Sequence, residues 1–197
     1  MDELFLFLLE GADPRTDRVV MQHSGGRALF VWAPDAASAA LVATEAVDAG
    51  AKLIELYRGF DLLQAAAVIE AVGERVPVGV GGRAPGPAHD LTSTAMIYHD
   101  PNAAPAGDRL VRDHPDGRRT TIVAAPDERA TAAIARELAE SGTDLIEICG
   151  GTPLTTAAAA AAAVDGRAEV TLVSWPFESI DGAHEFKAAY EASVVPS

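Results

Sequence analysis

Cysteine is nearly missing from this chain: Cys149 is the single one in 197 residues. No intramolecular disulfide can form, and a cysteine-rich zinc site is excluded. A reducing cytoplasm is the compartment such a sequence leads one to expect. Basic residues are scarce too. With 15 Lys and Arg against 29 Asp and Glu the formal charge is -14, so the summed field repels phosphate backbones and anionic membrane surfaces. Neither nucleic acid nor a membrane is expected as a partner. Long apolar runs are lacking as well. Residues 4–9 are too few for a membrane span or a signal core, and Asp2 and Glu3 precede them where a signal peptide would be positive. That segment reads as a buried first strand. There is no Walker A loop, dinucleotide fingerprint, HExxH or clustered His/Asp spacing, so no cofactor and no metal is expected.

What the chain does have is 49% hydrophobic residues, enough for a real core in a soluble globule, and an internal repeat. A shift of 92 aligns Ala33 with Ala125 and continues without a gap for 50 positions, 19 of them identical. Alanine pairs inflate that figure, but the other matches suffice. Ala33-Pro34-Asp35 returns as Ala125-Pro126-Asp127, Gly50 as Gly142, Leu53-Ile54-Glu55 as Leu145-Ile146-Glu147, and Gly59 as Gly151. Upstream a shift of 91 pairs Asp17-Arg18 with Asp108-Arg109, His23 with His114 and Gly26-Arg27 with Gly117-Arg118, so one residue is inserted between the windows. A repeat this long is a domain duplication, because solenoid repeats are shorter and need several copies to close a core. The boundaries expected are 1–82 for the first unit, 83–92 for a linker, 93–175 for the second unit and 176–197 for a tail.

Within each unit the pattern predicts β-(ββ)-α-β-α-β. Residues 5–9 and 95–99 open the units as strands. Residues 18–23 with 27–32, and 109–114 with 118–123, flank Ser24-Gly25-Gly26 and Pro115-Asp116-Gly117 as hairpins. Asp35 and Asp127 are placed to N-cap helices that run to Gly50 and Gly142. Short apolar strands follow at 52–57 and 144–149, then second helices, then closing strands at 76–80 and 169–173. In the second unit Thr152 is the expected N-cap with Pro153 at the first helical position. The seven alanines at 157–163 read as a packed helix, since alanine is the best helix former and allows close approach. The fold class expected is α/β with a mainly parallel sheet. The tail is expected to carry a short helix at 185–192, docked by Phe186 and Tyr190.

In α/β sheets ligands bind beyond the carboxyl ends of the strands. That directs attention to Glu55-Leu56-Tyr57-Arg58-Gly59 and to Glu147-Ile148-Cys149-Gly150-Gly151-Thr152. Strand alternation puts Glu147 and Cys149 on one face, with Ile146 and Ile148 on the other. A carboxylate in such a strand must be paired, protonated or facing a polar cavity. The plain reading is a structural glutamate held by Arg18, by Arg109 or by backbone amides. The sharper one is a general acid or base facing a pocket. Cys149 beside a helix start is a candidate nucleophile or proton-transfer group, set against the commoner role of a small buried hydrophobe. Gly150-Gly151-Thr152 could let amides cradle a carboxylate or phosphate, or simply make a turn. His23 and His114 recur beside hairpin turns, where the pair invites a metal or proton-shuttle reading and solvated histidines are the commoner case.

Gly11-Ala12-Asp13-Pro14, Asp17-Arg18, the run from Leu145 to Gly151 and Val76-Pro77-Val78-Gly79-Val80 together resemble domain-of-unknown-function family 6506. The resemblance covers nearly all of each repeat and brings no established activity. Members resemble one copy of the unit, which implies a fused dimer with a pseudo-twofold relation between its halves. The family's Cys-Gly-Gly is Tyr57-Arg58-Gly59 in the first copy, which favours one specialised site. The leading expectation is a small-molecule enzyme using acid/base chemistry, of lyase, isomerase or hydrolase type. Glu147, Cys149 and Glu55 would be its catalytic residues, and Arg58, Tyr57, Gly150, Gly151 and Thr152 would hold the substrate, an anion among the candidates. The competing expectation is a non-catalytic metabolite-binding or dimerisation module. Further self-association is compatible with both.

Overall fold

Short carboxylates fix where the first helix of each unit begins. Asp35 accepts from the Ser38 amide at 2.8 Å ahead of α1 (Ala36–Asp48), and Asp127 accepts from the Ala130 amide at 2.7 Å ahead of α3 (Glu128–Glu140). Such a cap satisfies an amide that has no partner inside the helix. The ends match as well: Gly50 and Gly142 adopt φ of 93° and 88°, a left-handed turn that glycine enters without steric cost.

The computed structural model describes residues 2–23, 26–57, 60, 62–81 and 91–194. Two compact units emerge, one of Met1–Arg83 with Val173–Ser197, the other Ala84–Leu172. The first unit runs β1 (Glu3–Leu8), β2 (Arg18–His23), β3 (Gly26–Ala33), α1, β4 (Leu53–Tyr57), α2 (Leu62–Val72), a 3₁₀ turn (Gly73–Arg75) and β5 (Val78–Gly81). Its strands lie in the order β2-β3-β1-β4-β5, all neighbours parallel except the β2/β3 hairpin. The second unit runs β6 (Ser93–His99), β7 (Arg109–Asp113), β8 (Arg119–Ala125), α3, β9 (Leu145–Ile148), α4 (Leu154–Val164) and β10 (Glu169–Ser174). Here the order is β7-β8-β6-β9-β10, again with one antiparallel pair, β7/β8. The protein is thus a duplicated α/β fold whose sheets are mixed. Val173 and Ser174, which end β10, belong with the first unit and pair antiparallel there with Gly81 and Val80. The turn at Ser24-Gly25 and most of the expected linker lie outside the described residues.

Each sheet has one face turned toward its helices. In the first unit Leu4, Leu6, Leu29, Val31, Ile54 and Leu56 pack on Ala39, Val42 and Ala43 of α1 and on Ala65 and Val68 of α2. In the second, Ile97, Val123, Ile146 and Ile148 pack on Ile134, Ala135 and Leu138 of α3 and on Ala157 and Ala160 of α4. The opposite face is called the far face below.

The alanine run is a packed helix, but it starts later than expected. Thr152 is not its cap. The Thr152 amide donates to the Cys149 carbonyl at 3.0 Å and closes a turn, so Pro153, with ψ of 143°, becomes the N-cap residue and the helix begins at Leu154. Ala160 is fully buried and Ala158 is exposed. Ala160→Leu should therefore overpack the α3/α4 contact and cost about 1–3 kcal/mol, whereas Ala158→Leu should leave the thermal midpoint unchanged. Equal effects in calorimetry would show the helix to be loosely seated.

The tail helix is longer than the sequence led us to expect. After a 3₁₀ turn (Phe177–Ser179), α5 spans Ile180–Val194. Ser179 Oγ accepts from the Val78 amide at 2.9 Å, and Gly182 sits so close to Pro77 that a Cβ there would lie 3.0 Å from its Cδ. Close approach explains a glycine in a helix, where it is otherwise unfavourable. Phe186 stacks with Tyr190 at 6.5 Å and lines a groove of about 380 Å³ with Lys52, Arg75 and Pro77. No helix among the described residues is long and apolar enough to cross a membrane.

Candidate functional site

Alternation along β4 and β9 sends Ile54, Leu56, Ile146 and Ile148 into the helix-side cores and leaves Glu55 and Glu147 on the far faces. Both carboxylates are sealed from solvent, Glu55 at 1% exposure and Glu147 at 3%. They occupy the same register: Glu55 stands beside Phe5 of β1, and Glu147 beside Met96 of β6.

The two far faces have diverged. In the first unit Phe5 stacks on Phe30 at 4.8 Å, and Phe7 stacks on Trp32 at 5.2 Å and on Tyr57 at 5.4 Å. The Tyr57 hydroxyl donates to Glu55 Oε2. A phenol on the next same-face residue thus satisfies a carboxylate that burial alone would penalise heavily. In the second unit the matching positions carry Met96, Ile122, Tyr98, Ala124 and Cys149, so one aromatic side chain stands where the first unit has five. Cys149 continues the strand by donating its amide to the Ile97 carbonyl at 3.0 Å, and its side chain is partly exposed. Glu147 and Cys149 are therefore brought together on one face, with the thiol outermost.

Neither arginine proposed to clamp the glutamates does so by an ion pair seen here. Arg18 Nε donates to the Pro14 carbonyl at 2.6 Å, and Arg109 Nη1 pairs with Glu137 at 2.7 Å. The reason is register. Arg18 lies opposite Val31 and Arg109 opposite Val123, both of which point to the helix side.

The histidines also depart from expectation. A place beside a turn predicts a solvated ring, yet the His23 side chain is 6% exposed and His114 is 5% exposed. The hairpin ladders run to their last residues, since His23 pairs with Gly26 and the His114 amide donates to the Arg118 carbonyl at 2.8 Å. That register turns both rings onto the far faces. His23 Nε2 lies 2.9 Å from Glu3 Oε2, and His114 Nε2 lies 3.0 Å from Thr120 Oγ1. Glu3 escaped the sequence reading because the opening strand was started at Phe5. Counting the period-two alternation two residues back from Phe5 would have placed it on the same face.

Of the residues expected to hold a substrate, Tyr57 serves Glu55, while Arg58 lies outside the described residues. Gly150, Gly151 and Thr152 form the turn into α4. The Thr152 amide is taken by that turn, and in the first turn of α4 the Thr156 hydroxyl donates to Glu128 Oε2 at 3.2 Å. The chain thus sets a carboxylate of its own near this helix start. Among the described residues no group of three or more His, Cys, Asp or Glu could hold a metal ion.

At the other end of the strands an acid stitches each sheet. Asp144 Oδ2 accepts from the amides of Thr92 and Ser93 at 2.8 and 2.9 Å and from the Thr92 hydroxyl at 3.0 Å. Lys52 takes the equivalent place in the first unit, and there Asp2 is the acid, accepting from the Arg27 amide at 3.2 Å with Lys52 Nζ at 3.5 Å. Burial pushes both carboxyls up, but the hydrogen bonds outweigh it and hold them below the ordinary value of 3.8. A depressed folded-state value means stability present above pH 3.8 and lost as the pH falls through the folded value. Asp144→Ala should thus cost about 1–2 kcal/mol at neutral pH, and the difference from the parent should shrink in acid. A gap in urea midpoints that stays constant down to full protonation would count against this.

No curated protein and no solved structure matches the chain. The model of a family of unknown function, DUF6506, matches it twice, over residues 1–94 and 92–188, so the chain belongs to that family and carries two tandem copies of its domain.

Proposed function

We propose that the protein is a small-molecule enzyme using acid/base chemistry, of lyase, isomerase or hydrolase type, with Glu147 as its proton-transfer group. The observation that carries this is a carboxylate 3% exposed on a far face where Cys149, two residues on at the strand end, is the more open position. A carboxyl positioned in a largely water-excluded site can serve as a general acid or base. Cys149 lines the approach and is a second proton-transfer candidate, and Gly150, Gly151 and Thr152 shape the turn over which a small substrate would enter. Glu55, already held by Tyr57, supports the fold of its own unit or assists from it, with Arg58 as a further candidate.

The Tyr57–Glu55 bond favours a second reading, in which both glutamates are structural and the duplicated domain is a non-catalytic metabolite-binding or dimerisation module. In either case the two copies would act as a fused, pseudo-twofold dimer in a reducing cytoplasm, with an anion among the candidate ligands. A thermal-shift screen of metabolites on the full chain finds the ligand. Turnover of that ligand selects the enzyme, and binding without turnover selects the module.

A further inference from the structure

β7 ends the second unit's sheet and pairs only with β8 among the described strands. Its outer side presents a definite pattern. The His114 amide donates to the Arg118 carbonyl, and the Ala124 amide donates to the Asp108 carbonyl. Facing residues of an antiparallel ladder alternate between bonded and unbonded pairs, so in this register Leu110 and Arg112 direct their backbone groups to β8. The N–H and C=O of Arg109, Val111 and Asp113 therefore point outward. Val111, in the middle, is 50% exposed.

Such edges are commonly blunted by lysine, proline, a bulge or a charge that repels a second strand. β7 has no lysine or proline, and its pairing with β8 runs without a bulge. Its charges do not repel a second copy either. When the strand is laid antiparallel against itself about Val111, the outward residues meet as Val111 with Val111 and Arg109 with Asp113. A twofold axis perpendicular to the sheet keeps these side chains on the helix side in both copies. Opposite charges facing each other across a ladder stabilise it, and like charges oppose it. Both groups have capacity for this contact. Arg109 bonds Glu137 through Nη1, and Asp113 bonds Arg119 through Oδ1, whereas a guanidinium carries five donors and a carboxylate two oxygens.

The first copy lacks the complement. There the Trp32 amide donates to the Asp17 carbonyl, so Arg18, Val20 and Gln22 of β2 face outward, and Val20 is exposed as Val111 is. Laid against itself about Val20, β2 would bring Arg18 to the neutral Gln22. The valine recurs in both copies, but only β7 surrounds it with charges that match their own reverse.

We infer that β7 is a self-recognition edge at which two copies of the chain pair antiparallel, with Val111 on the axis and Arg109 of each chain against the partner's Asp113. The contact is isologous and closes at a dimer. It is independent of the acid/base reading above. The formal charge of -14 on each chain does not forbid it. At physiological salt, exposed charges more than about 8 Å apart are largely screened, and residues facing each other across a ladder lie within that distance.

Sedimentation equilibrium of the full chain over a range of concentrations should show a monomer–dimer equilibrium and nothing larger. Val111→Pro removes an outward N–H and leaves the β8 ladder whole, so the chain should still melt cooperatively and sediment as a monomer. The matching Val20→Pro in β2 should keep the dimer. Asp113→Arg sets arginine against arginine and should raise the dimer Kd about tenfold or more. Adding Arg109→Asp to that variant restores opposite charges and should recover most of the loss. If Val111→Pro fails to fold, the charge reversal and its rescue decide. A chain that stays monomeric at every concentration, a dimer unchanged by Asp113→Arg or by a folded Val111→Pro, or growth beyond the dimer would overturn the inference. Loss of the dimer in Val20→Pro alone would do the same, by moving the contact to β2.

Discussion

Glu147→Gln should lower kcat by about 10²–10⁴-fold, while Glu55→Gln retains most of the activity. Glutamine matches glutamate in shape and hydrogen-bonding reach but cannot take up a proton, so the fold survives and the proton transfer does not. The asymmetry follows from the surroundings. Glu55 accepts the Tyr57 hydroxyl on its own strand, and a carboxylate spent as a structural acceptor is a poor base. In the second copy that position is Cys149, the more open end of the face that carries Glu147. Steady-state rates on the ligand found by thermal shift decide the matter. Equal losses in the two variants, or none in either, would mean that the pair is structural and the enzyme reading is wrong. Cys149→Ala should have a smaller effect than Glu147→Gln if the thiol only lines the approach.

Trp32→Ala should cost about 3–5 kcal/mol, the usual range for emptying a large aromatic site, and lower the thermal midpoint by roughly 10 °C for a chain of this size. Trp32 is fully buried and its ring stacks on Phe7 at 5.2 Å, which in turn stacks on Tyr57 at 5.4 Å. Removing it leaves a void beside the ring that positions the Tyr57 hydroxyl. Calorimetry should also show that Tyr57→Phe, which keeps the ring and deletes only the donor, is milder than Trp32→Ala. The second copy carries Ala124 at the corresponding position, so the loss belongs to the first unit's packing and not to the repeat in general. A change of less than about 1 kcal/mol would mean that the far face of the first unit collapses freely around the gap.

Much of this was legible in the sequence because it is local. Asp35 and Asp127 cap their helices through amides three residues away, and Gly50 and Gly142 stop them by backbone conformation alone. The duplication was legible because both copies keep the same punctuation at the same spacing, and the alternation in β9 separated Glu147 from its isoleucine neighbours. The site was less so. His23 and His114 sit next to turns, and proximity to a turn says nothing about which side of the sheet a hairpin's final residue faces. Arg18 and Arg109 looked like natural partners for the glutamates, yet hairpin register sent them to the helix side. Thr152 resembled a cap until the Cys149 carbonyl claimed its amide.

The amino-acid order by itself determined the repeat, the element types, the caps and the strand phase that turns Glu55 and Glu147 away from the helices, because each depends on neighbours within a few residues. Only the tertiary structure decided that Glu3 meets His23, that Arg109 pairs with Glu137 and that the tail seats Gly182 on Pro77. Those contacts join strands and turns distant along the chain, and pairing register, which no short stretch of residues encodes, sets which side chains share a face.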